Sequence, residues 1–170
     1  MSVAVMQLNP WPAREAVASE PPIPCDVVSP ATRWPDDDAE GVHSKAMVEA
    51  YRRAGGVLSG DEVAGLLQVH SPEPIALLAR WIVTRRVVSF VWQSQTLIPL
   101  FQFDRGDMSL RPGATQVVDE LADTFDDREL AAWFVQPNSW LQDAAPIDLI
   151  DVDRPAVLQA ARADRFIARG

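Results

Sequence analysis

The sequence predicts a mainly α-helical fold that carries one small β-hairpin. Several segments repeat apolar residues every three or four positions and open on helix-capping residues. Between residues 88 and 103 that period gives way to alternation, the mark of strands. The first 43 residues show neither pattern. With 170 residues, 48% hydrophobic and 23% charged, the chain has material for one ordinary core and a tail.

Residues 1–43 hold Pro10, Pro12, Pro21, Pro22, Pro24, Pro30 and Pro35, and prolines at that density remove backbone donors and break helices. With the acid run Asp36-Asp37-Asp38 they read as a disordered tail without a core. Trp11 and Trp34 within it either dock loosely on the domain or anchor a partner. Folded structure is expected from Ser44. Residues 45–54 fit a short helix closed by Gly55-Gly56. Ser59 and Glu62 form a capping box, opening a helix with Val63, Leu66 and Leu67 on one face. A turn at 69–71 follows. Ser71 then caps a second helix, with Pro72 at its first position and Ile75, Leu78, Ala79 and Ile82 at helical spacing.

After Arg85-Arg86, Val88, Phe90 and Trp92 alternate, as do Leu97, Pro99, Phe101 and Phe103. Gln93-Ser94-Gln95 separates the two runs as a hairpin turn. Pro99 cannot donate to a ladder, which puts its strand at an edge. Residues 104–107 make a turn at Gly106. Residues 112–125 form a helix burying Val117, Val118, Leu121 and Phe125. Asp126 and Glu129 cap the next, which carries Leu130, Trp133 and Phe134 and stops at Pro137-Asn138. Residues 146–150 are a short helical turn. Pro155 opens a last helix carrying Leu158, Ala161 and Phe166. The organisation is a tail (1–43), a helix-turn-helix-like module with a hairpin (44–110) and a helical domain (111–170).

A formal net charge of −9 argues against a large electrostatic footprint on nucleic acid or an anionic membrane. The acid is uneven: residues 44–110 hold seven Lys/Arg against six Asp/Glu, whereas 111–170 hold six against eleven. Any DNA contact is therefore expected from the middle. The one cysteine, Cys25, makes no internal disulfide. No signal peptide or membrane-spanning run is legible, so the expected location is cytoplasmic. No enzyme set emerges either, and no metal or cofactor is expected. Cys25 and His43 fall in the tail, and His70 stands alone in a turn. There is no phosphate-binding glycine loop and no nucleophile elbow. Asp148, Asp151 and Asp153 could share a Mg²⁺ ion, but they more simply solvate a loop and cap the last helix.

Two constellations remain. Residues 57–103, two helices joined by a tight turn and followed by a hairpin, match a degenerate winged helix-turn-helix. Its second helix turns Glu73, Ala76, Leu77 and Arg80 outward, a poor face for reading bases. Arg85 and Arg86 could touch phosphates. Direct DNA binding therefore competes with a packing or dimerisation role. The second constellation runs from Trp133-Phe134 through Pro137-Asn138 and Trp140-Leu141 to Pro146-Ile147-Asp148-Leu149-Ile150. The Pro-Asn stop pushes Trp140 into an irregular segment, where an exposed aromatic can anchor an interface.

That second run, W-F-x-x-P-N-x-W-L-x(4)-P-I-D-L-I, resembles the toxin-binding domain of the Xre/MbcA/ParS antitoxin family, and residues 99–104 resemble the segment joining a degenerate helix-turn-helix to that domain. The resemblance spans roughly residues 57–170. It implies an antitoxin whose partner is a RES-type toxin that destroys NAD⁺, blocked by the antitoxin's C-terminal segment, and it favours a homodimer. Carried over, Trp133, Pro137, Asn138, Leu141, Pro146 and Leu149 match the motif, with Trp140 beside them. Arg162, Arg165 and Arg169 fall at helical spacing on the last helix, facing either an acidic toxin pocket or that helix's own C-terminal dipole. Family members often have Gly after the loop Leu, whereas Gln142-Asp143 stands here. The alternative function is a helix-turn-helix transcriptional regulator without a toxin, contacting operator DNA through Arg80, Arg85 and Arg86.

Overall fold

A computed structural model describes residues 36–170. The expected tail up to residue 35, with Cys25, Trp11 and Trp34, lies outside the described residues. The described residues cluster as one unit, a mostly helical fold with a small three-stranded antiparallel sheet.

Helix α1 spans Asp36–Tyr51, starting at the acid run and not at Lys45. A single 3-10 turn, Arg52–Ala54, carries it to Gly55, whose φ of 105° only glycine adopts without strain. Strand β1 (Val57–Ser59) follows, then α2 (Gly60–Leu67). The Ser59–Glu62 capping box is complete: Ser59 N–H donates to Glu62 Oε2 at 2.8 Å, and Glu62 N–H donates to Ser59 Oγ at 3.3 Å. The Ser59 N–H and the Ser59 hydroxyl, which both donate to Glu62 Oε2, hold the Glu62 carboxyl below its ordinary range. Val63 and Leu67 are buried, but Leu66 faces out.

Helix α3 runs Pro74–Val83 and begins two residues later than expected. Ser71 Oγ accepts the Glu73 N–H and closes the preceding turn instead of capping the helix. Strands β2 (Phe90–Trp92) and β3 (Gln95–Pro99) form the hairpin, turned at Gln93 and Ser94, both left-handed. The sheet order is β1-β3-β2. Strand β3 is therefore central, not an edge. Pro99 is tolerated because it is the strand's last residue, paired with Val57, and the chain leaves as a 3-10 turn, Leu100–Gln102. Phe101 and Phe103 reach the core from that turn rather than from a longer strand.

Buried Gln102 completes the sheet side. Its Oε1 accepts the Val88 N–H at 2.7 Å, and its amide donates to the Val88 and Pro99 carbonyls at 2.9 Å each. One side chain thus satisfies both backbone groups of a buried residue that has no strand neighbour.

Helices α4 (Pro112–Leu121), α5 (Asp127–Val135), α6 (Pro146–Leu149) and α7 (Arg154–Arg169) build the second half. Asp126 and Glu129 form the expected capping box of α5. Asp153 caps α7 by accepting the Ala156 N–H. The larger core draws on the whole unit: Tyr51, Phe90 and Phe101 stack, and Phe101 packs at 4.8 Å on Phe134. The Tyr51 hydroxyl donates to the Ala131 carbonyl at 2.6 Å, tying α1 to α5. A smaller core under α2 and α3 holds Val63, Leu67, Leu78, Ile98 and Phe103. Phe166, expected inside, is 78% exposed, because the buried face of α7 is set by Val157, Ala160 and Ala161. Among the described residues, no helix is long and apolar enough to cross a membrane.

Candidate functional site: the Pro-Asn loop and the last helix

Helix α5 ends at Val135, and Gln136-Pro137 carries the chain into a closed loop. Asn138 organises that loop. Its Oδ1 accepts the Trp140 N–H at 2.9 Å and starts the 3-10 turn Ser139–Leu141. Its backbone N–H donates to Ala144 O, and its carbonyl accepts from Leu141 and Asp143. Gln142 and Asp143 then take left-handed φ values of 57° and 63°. This is the backbone conformation that glycine favours, at the place where the resembled family often carries glycine.

The loop is fastened to α7 through Asp164, a residue that sequence reasoning missed. The Asp164 carboxylate accepts three N–H donors. Trp133 Nε1 lies at 2.8 Å and Asn138 Nδ2 at 2.7 Å from Oδ2, and Trp140 Nε1 at 3.0 Å from Oδ1. Bonds to an ionised acceptor are roughly twice as strong as neutral ones. Trp133, Asn138 and Trp140 are thereby brought to one point. A signal for Asp164 did exist: it follows Val157, Ala160 and Ala161 at helical spacing, so it falls on the buried face of α7 and needs partners there.

The remaining motif residues separate by exposure. Leu141 and Pro146 are buried, Leu149 is half-buried and Pro137 is exposed. Trp140 stays 57% exposed although its ring N–H is engaged. Ile167, three residues on from Asp164, is also exposed, as is Phe166.

Arg162 and Arg165 of α7 reach Glu120 on α4, and Arg169 reaches the turn that follows α4. Glu120 pairs with Arg162 at 3.3 Å and with Arg165 at 2.5 Å, and Arg169 Nε donates to Thr124 Oγ1 at 3.0 Å. They clamp the helix pair. Arg80 and Arg86 are exposed, on α3 and just beyond it. Arg85 takes a left-handed backbone, φ 51°, and its guanidinium donates to the Ala122 and Phe125 carbonyls and pairs with Asp127. That guanidinium closes the C-terminal end of α4 against the start of α5. The Asp148–Asp151–Asp153 set does not converge: Arg111 holds Asp151, and Asp153 caps α7. Among the described residues, no three His, Cys, Asp or Glu side chains group as a metal site.

No protein-family model, curated protein or solved structure matches this chain.

Proposed function

We propose that this chain is a cytoplasmic antitoxin of a type II toxin–antitoxin pair, which binds and blocks a RES-type, NAD⁺-degrading toxin. One observation carries the reading: Trp133 and Asn138 of the motif and Trp140 beside them meet on Asp164, and the Trp140 ring is fixed while staying exposed. An aromatic already fixed by its own hydrogen bond loses little freedom on binding, and such anchors dominate interface energies. Trp140, Ile167 and Phe166 supply the apolar contact, and α7 is the element that the resemblance directs at the toxin's NAD pocket. The pairing of Arg162 and Arg165 with Glu120 of α4, and of Arg169 with Thr124 just beyond it, favours a role for them in setting the angle of α7.

The order β1, α2, α3, β2, β3 supports reading residues 57–103 as a degenerate winged helix-turn-helix. A regulator without a toxin draws on that order alone. It is the weaker reading, since α3 offers only Arg80 for base contacts and Arg85 is spent on a helix end.

The test is co-expression with a RES-type toxin encoded beside this chain. The wild-type chain is expected to restore growth, co-purify with the toxin and suppress NAD⁺ loss. Trp140→Ala, folded by circular dichroism, should weaken the complex by about 2 kcal/mol, roughly thirtyfold in Kd. Failure of the wild-type chain to bind or inhibit such a toxin overturns the proposal.

A further inference from the structure

Helix α3 is apolar on nearly every side, yet only the side with Leu77, Leu78, Trp81 and Ile82 packs on the core. Arg80 is its one charged residue, and Leu78 its one buried residue. A helix that is hydrophobic all round ordinarily lies inside a core. Here Ile75 is 73% and Val83 81% exposed, with Ala76 and Ala79 open between them. Among the described residues, nothing covers that face.

The charges flanking the face say what covers it. Glu73, Ala76, Arg80 and Val83 follow one another at three- and four-residue steps and so share one side of the helix. Glu73 and Arg80 stand two turns apart, both exposed, and neither is ion-paired among the described residues. Acid sits at one end of the face and base at the other. A two-fold interface must be its own complement, and this pattern is: two antiparallel copies set each acid against the other's base.

We propose that the exposed face of α3 is a homodimer interface. Two α3 helices cross antiparallel about a point between Ala76 and Leu77, and Glu73 of each copy pairs with the partner's Arg80. The small side chains of Ala76 and Ala79 let the backbones approach closely. Nucleic acid fits the face less well, since it would desolvate Ile75, Ala79 and Val83 while gaining a single basic contact. A single helix face offers less than the roughly 800 Å² per partner of a standard interface, so dimerisation is expected in the micromolar range. The inference does not depend on the toxin reading.

Sedimentation velocity of the full chain over a concentration series tests it. The wild-type chain should pass from monomer to dimer. Arg80→Glu and Glu73→Arg each place like charges opposite one another twice, and each should weaken the dimer at least about tenfold. The double variant, Glu73→Arg with Arg80→Glu, should restore it to within about threefold. Ala79→Arg should abolish it by bulk. A wild-type chain monomeric throughout overturns the proposal. So does a dimer indifferent to the single reversals, or a charge swap that stays monomeric while helical by circular dichroism. A monomer whose DNA binding is lost in Arg80→Glu would assign the face to nucleic acid and overturn it as well.

Discussion

At the scale of the residue, Asp164 does more than any other side chain of the site. Its carboxylate satisfies the ring N–H groups of Trp133 and Trp140 and the amide of Asn138. Asp164→Ala strands partly buried donors, each costing about 1–3 kcal/mol. Urea unfolding should therefore show a loss of roughly 2–3 kcal/mol and a shift in tryptophan emission. Asp164→Asn keeps the shape and should lose about half as much. An unchanged midpoint for both would mean that the loop is held by Leu141 and Pro146 alone. Asp164 was hard to read because its partners lie 24 to 31 residues away. Asn138 was legible, since Pro-Asn after an apolar run is local chemistry. Gln142-Asp143 pulls the other way: the side chains argue for ordinary backbone, yet both residues turn left-handed, because the Asn138–Ala144 bridge closes the loop around them.

At the scale of the element, the two capping boxes were legible and partners were not. Ser59–Glu62 and Asp126–Glu129 are three-residue signals, and both boxes close as expected. Strand β1 is three residues long with no period to detect, and only its register with β3 makes it a strand. That pairing moved Pro99 from the expected edge to the end of a central strand. Arg85 shows the same limit. Beside Arg86 it looks like half of a phosphate-binding pair, but its guanidinium closes α4 from 37 residues away. Arg85→Ala should lower stability by roughly 2 kcal/mol, through orphaned helix carbonyls. Arg86→Ala, at an exposed position, should stay within about 0.5 kcal/mol. Equal, small effects in thermal melts would refute the capping role.

At the scale of the whole molecule, Tyr51 is the joint between α1, α5 and the sheet. It is fully buried, stacked on Phe90 and Phe101, and bonded to Ala131 O. Burial pushes its phenol well above the ordinary 10.0. The protonated form is thus favoured in the fold, and the sign follows. Tyr51's contribution is whole below pH 10. Above it the unfolded chain sheds a proton that the folded chain keeps, and stability falls by up to about 1.4 kcal/mol per pH unit. It is the chain's single tyrosine, so tyrosinate absorbance reports it alone. Ionisation should coincide with unfolding, and Tyr51→Phe should flatten the alkaline slope. Ionisation in the folded state near pH 10 would contradict the burial.

By itself the sequence determined the helical class, the hairpin, the two capping boxes and the motif residues from 133 to 150. Each depends on neighbours within about one turn or one pleat, where spacing alone sets which groups meet. Only the tertiary structure decided the sheet order, the ion pairs of Arg162 and Arg165 with Glu120, the exposure of Phe166 and of the α3 face, and the convergence of Trp133, Asn138 and Trp140 on Asp164. Those depend on groups far apart in the chain, and the packing of whole elements selects which of many equally apolar or charged candidates come together.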